Sequence, residues 1–114
     1  MRSPSADRDR GSVTAEFAVA LPAIALVLAA CLASVQLIAQ QVRLTDAAAD
    51  AARALGRGES TAEAGAIADR VSGGAALVVA VDGMFVCATL SSPGDGLLAA
   101  IELRAESCAV TGGR

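Results

Sequence analysis

Apolar positions are arranged along this chain in three different ways. Between residues 17 and 39 they are nearly continuous: the run FAVALPAIALVLAACLASVQLIA carries no charge, one proline and two polar side chains, Ser34 and Gln36. About 20 apolar residues suffice for a helix to cross the hydrocarbon core of a bilayer, so this run predicts a transmembrane helix. A helix buried in a soluble core is the competing reading, but so short a chain has too little other apolar surface to wrap it on all sides.

From residue 42 the pattern becomes periodic. Val42, Thr45, Ala48, Ala49, Ala52 and Leu55 recur at three- and four-residue spacing, with Arg43, Asp46, Asp50 and Arg53 elsewhere around the helix as a solvated face. The helix is therefore expected to continue outside the membrane, from about Val13 to Leu55, roughly 60 Å at 1.5 Å per residue. Its stripe must pack on a head or on a neighbouring subunit, and Gly56 and Gly58 end it. A second, short helix follows: Ser60 and Glu63 form a capping box, Ala64, Ile67, Ala68 and Val71 make an apolar stripe, and Ser72-Gly73-Gly74 stops it.

The third arrangement is the sheet pattern. Residues 75–81 and 84–90 are rich in β-branched side chains and are joined by Asp82-Gly83, a strong hairpin signal. Residues 91–96 read as a turn or loop. A third strand is expected at about 99–109, where Ile101, Leu103 and Ala105 alternate with Glu102, Arg104 and Glu106. The predicted class is an α+β membrane protein: a long N-terminal transmembrane helix, a short second helix and a small three-stranded antiparallel sheet whose apolar side packs on the long helix. The domains expected are a leader over 1–11, a long helix over 12–57 with its span at about 17–39, and a small α/β head over 58–114.

Composition narrows the function. The chain is 54% hydrophobic and 2% aromatic, and it contains no His, Trp or Tyr. Without His the familiar catalytic triads are unavailable, and no phosphate-binding glycine loop or metal-ligand spacing is present. The reading is not an enzyme, with no cofactor and no metal site. A net charge of −3 argues against nucleic acid as a partner. Residues 1–10 are polar and aperiodic and read as disordered. Their Arg2, Arg8 and Arg10 set the orientation, because arginines flanking a span are retained in the cytoplasm. The N-terminus is then inside and everything after about Gln40 outside.

The chemistry concentrates at the start of the apolar run, in Gly11-Ser12-Val13-Thr14-Ala15-Glu16-Phe17. A carboxylate at the edge of a membrane helix costs several kcal/mol unless paired, so Glu16 is a functional candidate. The plainer account is that it complements the positive end of the helix dipole.

Gly11, Glu16 five residues after it, and Phe17 together resemble the class III signal of type IV pilin-like proteins, and specifically the TadE-like family of pseudopilins. The juxtamembrane stretch 41–59, with Asp46-Ala-Ala-Ala-Asp50-Ala-Ala-Arg53-Ala-Leu-Gly56-Arg57-Gly58-Glu59, is similar to the run that follows the span in that family. The resemblance implies a reduced pilin-like fold and a structural role, as a pseudopilin or minor pilin of a Tad-type pilus or secretion apparatus. It implies cleavage by a prepilin peptidase between Gly11 and Ser12 at the cytoplasmic face. It also implies that Glu16 pairs with the new amine of Ser12, on its own or a neighbouring subunit. The implied partners are the peptidase, other pilin-like subunits, the pilus assembly platform and the membrane. The implied location is the cytoplasmic membrane, single-pass, and then a surface filament.

Three features remain. Pro22 removes a backbone donor inside the span and is expected to kink or loosen the helix, which in a packed filament would let it fit its neighbours. Leu28-Ala29-Ala30-Cys31 also reads as a lipobox, giving an alternative: an envelope lipoprotein lipidated at Cys31, or an uncleaved single-span anchor. Against the lipobox, the apolar run continues past Cys31 through Leu32, Val35, Leu37 and Ile38. Cys87 and Cys108 form a candidate disulfide, permitted in an oxidising compartment. A tight hairpin centred on Gly94-Asp95 would set Cys87 opposite Glu102, so the bridge requires a longer, irregular connection; two free thiols are the alternative.

Overall fold

The computed structural model describes the backbone of residues 4–112 and the side chains of residues 11–112. Residues 4–10, expected to be disordered, are instead helical and form the first turns of the long helix, ahead of the start expected near Val13; residues 1–3 and the side chains of 4–10 lie outside those described. The elements run α1 (Pro4–Gly56), α2 (Thr61–Ser72), β1 (Ala76–Asp82), β2 (Phe85–Pro93) and β3 (Glu102–Val110), with one short 3-10 turn at Gly96–Leu98. The chain divides into two compact units, Met1–Val35 and Gln36–Arg114.

The first unit is helix alone. Phe17, Leu21, Ile24, Leu26, Leu28 and Leu32 are all exposed, and the most apolar 18-residue window has a mean hydropathy of 2.5 with none of it buried. The helix is apolar and long enough to cross a membrane. Ser34 Oγ donates to the Ala30 carbonyl at 2.8 Å, so its hydroxyl is satisfied within the helix. The helix continues through Pro22, whose missing N–H leaves the Ala18 carbonyl without its ladder donor.

In the second unit the last turns of α1 belong to the head. Leu44, Ala47, Ala48, Ala51 and Ala52 form one buried cluster with Ala64 and Ala68 of α2, Ala88 and Leu90 of β2, and Leu103 and Ala105 of β3. This face differs from the stripe expected: Ala48, Ala52 and part of Leu55 lie on it, whereas Val42 and Thr45 are exposed. The reason is that alanine at 47, 48, 49, 51, 52 and 54 makes almost any face of this helix fit for close approach. Leu44, with Leu37 two turns earlier, then decides which face turns inward. Asp50 and Arg53 pair at 3.5 Å on the exposed side, a contact of little weight.

Gly56, the last residue of α1, is buried, and a Cβ there would meet the Val110 carbonyl oxygen at 2.9 Å and the Ala109 Cβ at 3.2 Å. Its role is close approach to β3, and its carbonyl accepts from the Gly112 N–H at 3.0 Å. Two glutamines beyond the span reach the far strands: Gln40 Nε2 donates to the Pro93 carbonyl at 2.8 Å and Gln41 Nε2 to the Arg104 carbonyl at 2.9 Å. α2 carries the expected capping box, with both reciprocal bonds between Ser60 and Glu63 in place, and ends on Gly73 at φ 81°.

The strands form an antiparallel meander ordered β1-β2-β3. The hairpin turns on Gly83-Met84, closing with Asp82 opposite Phe85, one residue later than the Asp82-Gly83 turn expected. Gly83 has φ 61° and, among the described residues, no non-glycine residue has positive φ. That pattern suits a II′ turn, which places Gly first of the two central residues. The third strand begins at Glu102 rather than near 99. Residues 94–101 make an irregular connection, held by the Gly94 N–H donating to the Ile101 carbonyl at 2.8 Å.

Candidate functional site

The helix start and the sheet disulfide are the two places where chemistry-bearing residues gather. At the first, Gly11, Ser12, Glu16 and Phe17 all lie in α1 and are exposed. Ser12, Ala15, Glu16, Val19, Ala20 and Ala23 line one face, because positions three and four apart fall on the same side of a helix. Phe17, 62% exposed, stands about 100° around the helix from Glu16. Glu16 has no hydrogen bond or ion pair among the described residues. Gly11 is exposed, and a Cβ there would meet nothing within 4 Å.

Ser12 and Glu16 are thus brought together, one turn apart on one face. Pro22 lies off that face, and Cys31 is an exposed free thiol farther along the same helix. In the sheet, Cys87 stands directly opposite Cys108 and the two are bonded. The irregular 94–101 connection is what sets this register. Glu106 lies beside them, with its ligand atom within 4.8 Å of both sulfurs. With the sulfurs bonded to each other they are no thiolate ligand pair, and the Glu106 carboxylate accepts from Thr89 Oγ1 at 3.0 Å. Sequence reasoning gave no packing role to Leu44, Gln40 or Gln41 and read Gly56 only as a helix stop. The two glutamines, placed where the uncharged run ends, were the legible signal.

The TadE-like protein family matches residues 11–53, from the candidate cleavage glycine to the last turns of α1. Over 96 residues the chain is 40% identical to a protein of Mycobacterium tuberculosis (strain ATCC 25618 / H37Rv) named "Apoptosis inhibitor Rv3655c", spanning 83% of this chain and 75% of that protein. The chain belongs to the TadE-like family. As a TadE-like protein it is associated with the Tad pilus machinery. No solved structure matches it.

Proposed function

We propose that this TadE-like protein is a non-catalytic structural subunit, a pseudopilin or minor pilin of a Tad-type pilus or secretion apparatus, matured by a prepilin peptidase after Gly11. It needs no cofactor or metal. Its partners are that peptidase, other pilin-like subunits and the assembly platform, with no role for nucleic acid. The observation that carries this reading is the Ser12–Glu16 face at the mouth of an apolar helix with no cover of its own. Cleavage converts the Ser12 amide nitrogen into an ammonium one turn from a carboxylate. An unpaired Glu16 costs several kcal/mol at the membrane edge, and the new amine, on the same or an adjacent subunit, relieves it. Where the amine is that of an adjacent subunit, docking is favoured in the register that brings the two charges together.

The arginines of residues 1–10 orient the helix with its N-terminus in the cytoplasm, and a bridged Cys87–Cys108 suits a head in an oxidising compartment. A lipoprotein cut at Cys31 would begin in the middle of a helix that remains apolar beyond it.

The test is intact mass and N-terminal sequence of the protein recovered from its native membrane, beside Gly11→Ala and Glu16→Ala variants. A mature chain starting at Ser12, with Gly11→Ala uncut and Glu16→Ala cut but unassembled, is the expected result. Because nothing crowds a Cβ at position 11, an uncut variant reports peptidase specificity rather than misfolding. An acylated Cys31 at the N-terminus would replace this reading with the lipoprotein, and a Met1 start with the plain anchor.

A further inference from the structure

The loop between β2 and β3 lies at the end of the sheet that meets the close of the apolar run. Gln40 Nε2 donates to the Pro93 carbonyl at 2.8 Å, so the last residue of β2 is level with the residue that follows the run 17–39. The opposite end of the sheet lies beside Gly56, whose carbonyl accepts from the Gly112 N–H. β2 therefore runs antiparallel to this part of α1, and the chain beyond Pro93 extends alongside the residues that precede Gln40. Residues 36–39 belong to the same compact unit as the sheet, and Leu37 packs on its core.

The loop is uncharged where it projects. Residues 96–101 read Gly-Leu-Leu-Ala-Ala-Ile, bracketed by Asp95 and Glu102. Leu97 is fully exposed, more so than any other large apolar side chain among the described residues, and Ile101 is exposed as well. One exposed leucine is ordinary; an uncharged run of six at this end of the head is not. The loop is also built rather than slack. The Gly94 N–H ties its two ends together at the Ile101 carbonyl, and the Leu98 N–H donates to the Asp95 carbonyl at 3.0 Å. Gly94 is buried, and a Cβ there would run into the Leu98 backbone. An ordered backbone thus holds apolar side chains outward, with nothing of their own unit to cover Leu97.

About 20 apolar residues fill the hydrocarbon core of a bilayer, so a span over 17–39 brings Gln40, and Pro93 with it, to the boundary with the headgroups. Irregular backbone is excluded from the hydrocarbon itself, whereas at the interface apolar side chains enter the headgroup–acyl boundary by about 5–10 Å. We propose that residues 96–101 are a lipid-contact loop, seating Leu97 and Ile101 in the interface of the same bilayer that residues 17–39 cross. Helix and loop then make two points of contact, which fix how the head stands on the membrane. The proposal rests on the reading of 17–39 as a span and is independent of cleavage after Gly11.

The chain contains no Trp or Tyr, so one introduced Trp is the sole reporter. Full chains carrying Leu97→Trp, Met84→Trp or Val27→Trp are reconstituted in phosphatidylcholine–phosphatidylglycerol vesicles brominated either near the head or near the end of the acyl chain. All three positions are exposed, and Met84 sits at the hairpin turn, about 27 Å along β2 from Pro93 at 3.4 Å per residue. Val27→Trp is expected to lose most of its emission to the deep bromines. Leu97→Trp should lose most of its emission to the shallow bromines and little to the deep ones, and Met84→Trp should keep its emission with both. Trp itself favours the interface, a bias that the Met84 position shares, so equal quenching at 84 and 97 would overturn the proposal. Quenching at 27 with none at 97 would also overturn it while leaving the span intact; a blue-shifted Leu97→Trp in that case would place the loop against another protein chain. No quenching at 27 would overturn the span reading, and the lipid-contact loop with it.

Discussion

The two units draw on the same small set of apolar residues and use them in opposite ways. In residues 11–35 the leucines, valines and Phe17 all face outward, so that stretch has no core of its own and is complete only in lipid or against other helices. From residue 36 onward the buried side chains are mostly alanines, and Leu44 and Leu90 are the largest that are fully enclosed. Alanines let α1, α2 and the sheet approach closely, but each removes little apolar area from water. A head this small buries a modest share of its surface and therefore leans on the few groups that do more. The same Leu, Val and Ala composition thus marks a surface waiting for an environment in one unit and a thin self-sufficient core in the other.

The sharpest way to separate them is to truncate one leucine in each. Leu90→Ala removes a fully buried side chain from a core with few others, and the head should lose about 2–5 kcal/mol of stability. Leu28→Ala in the span should leave head stability unchanged. Urea unfolding of the full chain in micelles, followed by hydrogen exchange of the strand amides, reads both. Equal effects from the two substitutions would mean that the span stabilises the head. In the reverse direction, Leu28→Arg should disfavour membrane insertion by about 3 kcal/mol with no change in the strand amides.

Next in size is the bridge. Cys87→Ser with Cys108→Ser opens a loop of 21 residues and should cost about 3 kcal/mol, again confined to the head. Gly56→Ala should cost about 1–3 kcal/mol, the range for an overpacked contact, because the added methyl meets the Val110 carbonyl and Ala109. If Gly56 served only to end the helix, alanine would be tolerated, since its φ lies outside the positive region. The same unfolding curve decides between the two roles.

How much of this was legible depended on how many alternatives each residue left open. The long apolar helix was plain because 23 consecutive uncharged residues leave few other elements to choose in so short a chain. The α2 cap was plain because Ser60 and Glu63 stand at the one spacing that lets each side chain reach the other's backbone. The inward face of α1 was not, since alanines on nearly every side remove the contrast that periodicity needs, and the orientation passed to Leu44. The hairpin was found but set one residue early, because Asp-Gly signals a turn without saying whether Gly is its first or second central residue. The disulfide hung on the length of the 94–101 connection, a property of the backbone that side-chain pattern does not encode. At the helix start, Gly11, Glu16 and Phe17 were visible as spacing alone. The structure adds that Ser12 and Glu16 share an open face.

The smallest effect tests how local the head's dependence is. Ser60 Oγ accepts from the Glu63 N–H at 3.2 Å while a Glu63 carboxylate oxygen accepts from the Ser60 N–H at 3.0 Å. Ser60→Ala removes the first bond and leaves an exposed N–H that water can satisfy, so the loss should be about 1 kcal/mol. α2 contributes Ala64 and Ala68 to the core, yet its first turn lies at the surface. Exchange of the amides at 63–66 should therefore quicken several-fold, with the β2 amides slowed or quickened little and those of the span not at all. A uniform change across α2 and the sheet would instead show that the head unfolds as one cooperative unit from its weakest cap. In that case the alanine core is so thin that no part of it opens alone.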